Sequence, residues 1–184
     1  MSRSAGGRGR AVARTEVQAA TGTQAGAAPP RVEVRDSPLH GRGVFVLAPI
    51  ARGTRIFEYL GERITHAEAD QRYDHKAPHD NHTFLFIADE HTVIDAGVGG
   101  NEARFVNHAC EPNCESVIEG SRVFIDALRD IAAGEELTYD YQIRRERDDP
   151  ADIDAIFACR CGAARCRGSM LWPPKRRPAK RPRR

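Results

Sequence analysis

Nowhere in these 184 residues does an apolar run approach the ~18 consecutive residues that a membrane span requires. The first 30 residues also lack the apolar centre of a secretory signal. Together these absences imply a soluble chain outside the general secretory route, in cytoplasm, nucleoid or nucleus according to its organism. Cysteine is sparse, with five residues and none before Cys110. In a chain with no export signal, that placement favours metal-ligating thiols over a disulfide framework. Lysine is nearly missing, at three residues against 25 arginines; a GC-rich genome produces such a bias by itself, so it excludes no chemistry. Helical periodicity is also scarce, which leaves strands to carry the fold.

The net charge of +2 is unevenly divided. Residues 1–30 carry four arginines against Glu16, and residues 173–184 carry seven basic side chains and no acid. Between them, residues 31–172 hold 17 basic and 25 acidic groups, a balance of −8. An acidic body raises the local concentration of basic partners, although solubility alone also accounts for it. The basic end suits nucleic acid, an acidic membrane surface or an import receptor.

Residues 1–30 are rich in Gly, Ala, Thr, Ser and Arg and end in Pro29-Pro30, the composition of a disordered basic segment. From Arg31 the pattern changes to short apolar runs bounded by turn residues: 32–34, 44–47, 56–60, 84–88, 93–95, 117–118, 123–127 and 136–139. Eight runs of strand length predict a mainly β domain of small sheets. One short helix is expected over 65–73, with Thr65 as cap and Glu68 three positions on, and shorter ones over 101–107 and 149–157.

The cysteines give the least ambiguous motif. Cys159, Cys161 and Cys166 form C-x-C-x4-C, a spacing that turns three thiolates toward one tetrahedral Zn2+. A fourth ligand is needed, and Cys110 and Cys114 both lie about 50 residues upstream; spacing does not choose between them. Such a site, closed by four protein ligands, is structural and fastens the C-terminal segment to the body.

The stretch Arg104-Phe105-Val106-Asn107-His108-Ala109-Cys110-Glu111-Pro112-Asn113 resembles the hallmark of the SET-domain protein lysine methyltransferases, with Ala109 where that family usually has Ser. Further pieces follow in the family's order. Ser37-Pro38-Leu39-His40-Gly41-Arg42-Gly43 is similar to its N-terminal glycine motif, Glu58-Tyr59-Leu60-Gly61 to its Tyr-x-Gly motif, and Val93-Ile94-Asp95-Ala96 to a third. Gly134-Glu135-Glu136-Leu137-Thr138-Tyr139-Asp140-Tyr141 resembles the C-terminal catalytic motif, and C-x-C-x4-C the post-SET zinc knuckle. The glycine motif and the Tyr-Asp-Tyr ending are closest to the trithorax/mixed-lineage-leukemia type branch, and no cysteine is present for the pre-SET zinc module of other branches.

The resemblance implies a β-clip of small curved sheets with a threaded C-terminal segment. It implies a SET domain over 31–144, a post-SET zinc knuckle over 145–172 and a basic tail over 173–184. The implied activity is S-adenosyl-L-methionine-dependent lysine N-methylation of histone or histone-like basic proteins. By the same resemblance, His40, Gly41, Arg42 and Gly43 hold the methionine end of the cofactor, and Asn107 and His108 present polar groups to it. Arg104 belongs to the same cofactor set, and Arg160 and Trp172 cover the adenine and close the channel. Cys110 becomes the fourth ligand beside Cys159, Cys161 and Cys166. Tyr141 is the catalytic tyrosine, and Tyr139 limits how many methyl groups fit, which favours mono- or dimethylation. Tyr59, Phe84 and Phe86 wall the lysine channel, Tyr59 and Phe84 also counting among the cofactor-binding residues, with Phe84 standing where the closest branch has Tyr. The tail 173–184 is expected to contact DNA without reading sequence, and its Lys175 and Lys180 are candidates for self-methylation. The competing expectation is a non-catalytic, zinc-stabilised module that binds basic peptides, or a DNA-associated protein.

Overall fold

Strand-length apolar runs separated by glycine-bearing turns pair here into five small sheets, seen in a computed structural model that describes residues 29–75, 83–145 and 149–172. The basic tail, Lys76 and nearly all of segment 1–30 lie outside the described residues. β1 (Val32–Asp36) and β2 (Arg42–Val46) make an antiparallel pair. The loop between them closes where Ser37 N–H donates to the Gly41 carbonyl at 2.8 Å, and Gly41 has φ +48°. That dihedral lies in the left-handed region, where a β-carbon is disfavoured.

β3 (Arg55–Glu58) and β4 (Glu62–Ile64) precede α1 (His66–Tyr73). The expected capping box is present: Glu68 N–H donates to Thr65 Oγ1 at 3.2 Å, and Glu68 Oε2 accepts from Thr65 N–H at 2.7 Å. β5 (Leu85–Ile87) and β6 (Val93–Asp95) complete an antiparallel sheet with β6 between β4 and β5. A 3-10 turn over Glu102–Phe105 leads into β7 (Asn107–His108). β8 (Cys114–Glu119) and β9 (Arg122–Ala127) then form a hairpin whose β9 also pairs with β3.

The remaining pairings are parallel and join distant segments. β10 (Thr138–Tyr139) lies beside β7, with Thr138 opposite Asn107 and Tyr139 opposite His108. β11 (Ile143–Arg144) pairs with β12 (Leu171–Trp172) after the short α2 (Ile153–Ile156). All eight apolar runs contain a strand. β4, β7, β11 and β12 escape sequence reading because two or three residues carry no measurable alternation, and their partners lie far away in sequence.

One apolar cluster includes Val44, Val46, Ile125, Ile131 and Leu137, all 2 % exposed or less, with Tyr139 at its edge. Burial of each such aliphatic side chain stabilises by roughly 1.5–3 kcal/mol. A second cluster gathers Tyr59, Ile94, Ala96, Ala103 and Val123. Asp95, the family-pattern aspartate, is fully buried beside it and accepts from Arg72 Nη1 at 2.6 Å, Tyr73 Oη at 3.0 Å and Gly97 N–H at 2.9 Å. Apart from histidines, the cation in every described ion pair is an arginine, as in Arg55 with Glu119 and Asp126, or Arg122 with Glu58.

Candidate active site and metal centre

The segment 134–137 runs antiparallel beside β2: Leu137 N–H donates to the Val44 carbonyl at 2.8 Å and Val46 N–H to the Glu135 carbonyl at 2.9 Å. This places the Glu136 carboxylate directly under Gly43, where an added β-carbon would sit 2.2 Å from Glu136 Oε1. Gly43 is therefore required by close packing inside the protein. Ser37 Oγ donates to Glu136 at 2.8 Å. Asn107 Nδ2 donates to Glu136 Oε1 at 2.8 Å, to the Arg42 carbonyl at 3.0 Å and to the His40 carbonyl at 3.2 Å. One buried amide thus ties the glycine loop to the Tyr-Asp-Tyr segment. Glu136 lies inside the Gly134–Tyr141 motif yet carries no sequence signal that separates it from a solvated acid.

His40, Gly41, Arg42, Phe84, Arg104, Asn107, His108, Tyr141 and Arg160 meet around one cavity of about 490 Å3. Gly41 has open space where its β-carbon would be, so the loop backbone is accessible from the cavity side. Arg42 and Arg104 flank Phe105 at 4.8 and 4.7 Å from its centroid, and Phe84 meets Phe105 edge-on at 5.7 Å. Arg104 Nη1 donates to the Ala96 carbonyl at 3.0 Å. The wall combines cationic and aromatic groups, suited to a ligand with an anionic end and a planar ring.

Three residues of the expected cofactor set stand away from this wall. Gly43 packs on Glu136, as above. Tyr59 is buried, donates from its hydroxyl to the Phe84 carbonyl at 3.1 Å and packs against Phe86 at 5.3 Å between centroids. Trp172 is held in β12 with 42 % of its surface exposed, its ring 5.6 Å from the Arg167 guanidinium.

Tyr141 sits where the cavity wall meets an aromatic cluster. Its ring lies 4.8 Å from Tyr139 and 5.3 Å from His108, and Tyr139 in turn lies 6.2 Å from Phe86. The Tyr141 hydroxyl donates to the Val106 carbonyl at 3.0 Å. Burial, aided by the Glu136 charge, pushes its ionisation above the ordinary phenol range, so the group is a neutral phenol with oxygen lone pairs left to accept. Tyr139 is likewise held neutral by burial. His108 is pushed down to about 4 by burial, against the opposing pull of Asp140. As a neutral imidazole it accepts Tyr141 N–H at Nδ1, 3.2 Å away, which leaves its hydrogen on Nε2, 3.5 Å from Cys110 Sγ. Both ring nitrogens therefore face protein groups, and His108 acts as a bracket between Tyr141 and Cys110.

The sulfurs of Cys110, Cys159, Cys161 and Cys166 lie within 4.8 Å of one another. Cys110 Sγ is 3.7 Å from Cys159 Sγ and 4.0 Å from Cys166 Sγ. A tetrahedral zinc with Zn–S near 2.3 Å implies sulfur separations of about 3.8 Å, so the cluster is compatible with zinc. Backbone N–H groups point at the sulfurs, from Arg167 to Cys110 at 3.4 Å and from Cys110 to Cys161 at 3.5 Å, as thiolates require. Desolvation pushes the Cys161 thiol up, but the N–H groups of Cys110 and Ala163 and the thiols of Cys159 and Cys166 outweigh it and lower the group to about 7. Cys114 is fully buried in β8, its thiol pushed up to about 12 by burial, and stands outside the cluster.

The family model of the SET domain matches residues 41–142, more than half of the chain, from Gly41 past Cys110 and through Tyr141, with His40 and the knuckle cysteines Cys159, Cys161 and Cys166 outside the matched span. The chain belongs to the SET-domain family. This SET domain is 44 % identical over 139 residues to a Saccharomyces cerevisiae histone-lysine N-methyltransferase, H3 lysine-4 specific, covering 73 % of this chain and 12 % of that protein. A Candida albicans protein of the same description is 44 % identical over 139 residues, covering 73 % of this chain and 13 % of its own length. The Drosophila melanogaster histone-lysine N-methyltransferase trithorax is 39 % identical over 140 residues, covering 74 % of this chain and 4 % of its own length. The chain thus spans only a small part of the length of these relatives. Among the described residues no helix is long and apolar enough to cross a membrane.

Proposed function

We propose that this SET domain catalyses lysine N-methylation with S-adenosylmethionine, on the N-terminal region of histone H3 or an equivalent basic protein in the nucleus. The observation that carries the reading is the convergence of the glycine loop, Asn107-His108 and Tyr141 on one cavity. His40, Gly41, Arg42, Phe84, Arg104, Asn107, His108 and Arg160 would hold the methyl donor there; its open glycine backbone and mixed cationic and aromatic wall fit such a ligand. When bound, S-adenosylmethionine supplies a sulfonium methyl to a lysine ε-amine.

The residues of the chain then have separate tasks. A free lysine has a pKa of ~10.4 and must first release its proton to solvent, so that the neutral amine attacks. The aromatic cluster of buried Tyr59 and Tyr139 with half-buried Phe86 disfavours the charged ammonium by desolvation. Tyr141, its own hydrogen committed to the Val106 carbonyl, accepts from the amine and aims its lone pair. Raised ionisation makes Tyr141 a poor candidate for a tyrosinate base. Tyr139, adjacent to Tyr141, takes up room near the amine and favours mono- or dimethylated product.

Cys110, Cys159, Cys161 and Cys166 would hold one zinc ion and would thereby cross-link the loop after β7 to the C-terminal segment. On this reading the SET unit runs over 31–144, the zinc knuckle over 145–172, and the basic tail adds salt-sensitive, non-specific contact with DNA. A tail truncation at residue 172 that leaves DNA retention unchanged at low salt would remove the last point. The activity is tested with metal-loaded protein, radiolabelled methyl donor and a panel of histones, beside Tyr141→Phe. Label is expected on H3, with the variant slower on the order of 100-fold; a variant as fast as wild type would overturn the mechanism.

A further inference from the structure

Arg167 follows the last cysteine of the knuckle and belongs to no motif that the sequence singles out. Its guanidinium makes two parallel bonds to Asp140, Nη1 to Oδ2 and Nη2 to Oδ1, both at 2.8 Å. The two side chains are 23 % and 16 % exposed, so water screens the pair less than at an open surface. Its backbone N–H donates to Cys110 Sγ. Asp140 separates Tyr139 from Tyr141 in sequence, and its carboxylate is shared. Oδ1 accepts from Gln142 N–H at 3.2 Å and lies 3.6 Å from His108 Nδ1, the atom that accepts Tyr141 N–H. Gln142 has φ 52°, the one non-glycine among the described residues in the left-handed region, so the chain leaves Tyr141 through a turn that needs this support.

We propose that Arg167 is a positioning residue for methyl transfer: by gripping Asp140 from the cysteine knuckle, it sets the register of Tyr141 against the cavity. Arg167 touches no reacting atom. It acts through a carboxylate that accepts from the turn after Tyr141 and lies, without a hydrogen bond, against the histidine that holds the Tyr141 backbone. Without the guanidinium, that carboxylate keeps its neighbours but loses its counter-charge, and the Tyr139–Tyr141 segment loses its anchor on the knuckle. A displacement near 1 Å at such a residue is enough to slow a reaction by on the order of 100-fold. Lysine is a poor replacement because a point charge does not reproduce two parallel bonds.

The proposal rests on Tyr141 as the residue at the reacting atoms, so Tyr141→Phe is measured alongside. Arg167→Met, Arg167→Lys, Asp140→Asn and the Arg167→Met/Asp140→Asn pair are compared as metal-loaded protein. The readouts are kcat, KM for methyl donor and for basic peptide, the ratio of mono- to dimethyl product, bound metal and melting temperature. Arg167→Met is expected to lower kcat by roughly 10- to 100-fold with both KM values within about threefold and metal content unchanged. Arg167→Lys should recover part of the loss, and the double variant should be no slower than the slower single one. Undiminished kcat in Arg167→Met, multiplicative losses in the pair, or losses that follow metal content would each overturn the proposal. Should Arg167→Met not fold, Arg167→Lys and Asp140→Asn decide by the same criteria. Full activity in Tyr141→Phe would instead remove the premise, and is separable because it leaves the Arg167 variants' own rates on record.

Discussion

Replacing Asn107 by aspartate keeps the shape of the side chain and exchanges its donor for a carboxylate oxygen. That oxygen would face Glu136 Oε1, now 2.8 Å from Asn107 Nδ2, and the His40 and Arg42 carbonyls beyond. Two unit charges at that separation repel by about 6 kcal/mol at an effective dielectric near 20. The pair has a cheaper escape, which is to bind a proton. From an ordinary carboxyl pKa of ~3.9, holding a proton at pH 7.5 costs about 5 kcal/mol, and at pH 6.0 about 3 kcal/mol, at 1.36 kcal/mol per unit. The smaller of the two penalties governs, so protonation sets the loss at both values. The sign follows: the folded pair titrates above its unfolded value, so the destabilisation grows with pH and is relieved as pH falls. Urea unfolding of metal-loaded wild type and Asn107→Asp, followed by circular dichroism at both pH values, is expected to show a stability gap that narrows by about 2 kcal/mol at pH 6.0. Metal and histidine terms cancel because both chains carry them. A gap that is independent of pH, or below about 1 kcal/mol at pH 7.5, would refute the bracket role assigned to Asn107.

Two further outcomes follow from the same geometry. Chelation followed by iodoacetamide should add four carbamidomethyl groups to the folded protein by mass, since four sulfurs cluster near the surface while Cys114 is buried with its thiol pushed up to about 12; a fifth adduct at the rate of the others would contradict that burial. Tyr139→Phe removes a hydroxyl from the aromatic cluster beside Tyr141, and is expected to shift product toward higher methylation states without a large loss of kcat; an unchanged product ratio would release Tyr139 from that role.

Local pattern and long-range pairing were unequally legible in the sequence. Alternation and turn residues located eight strands, and Thr65 with Glu68 located a helix start, because those signals act over a few residues. The spacing of the knuckle cysteines marked a metal site but left Cys110 and Cys114 equivalent. What separates them is the fold: β7 carries Cys110 to the knuckle, whereas β8 turns Cys114 into the core. Glu136 and Arg167 stayed hidden for a related reason. An acid or an arginine in a loop looks solvated until its partner is known, and those partners lie 29 residues away at Asn107 and 27 away at Asp140. Gly43 was expected to face the cofactor, whereas the group packed against it is the Glu136 carboxylate.

All three lysines of the chain, Lys76, Lys175 and Lys180, fall outside the described residues, and apart from histidine pairs the ion pairs among the described residues stand on guanidinium groups. An arginine cannot present the lone-pair amine that methyl transfer to lysine needs, because it stays protonated at any physiological pH. The scaffold is in this sense chemically inert toward the reaction it is proposed to host: no neighbouring copy can erode its salt bridges by methylating them. Within this sequence, any methyl group placed on the proposed enzyme itself would fall on Lys76, Lys175 or Lys180, two of them in the basic tail, where the positive charge is kept and the size and hydrogen-bonding capacity of the amine change.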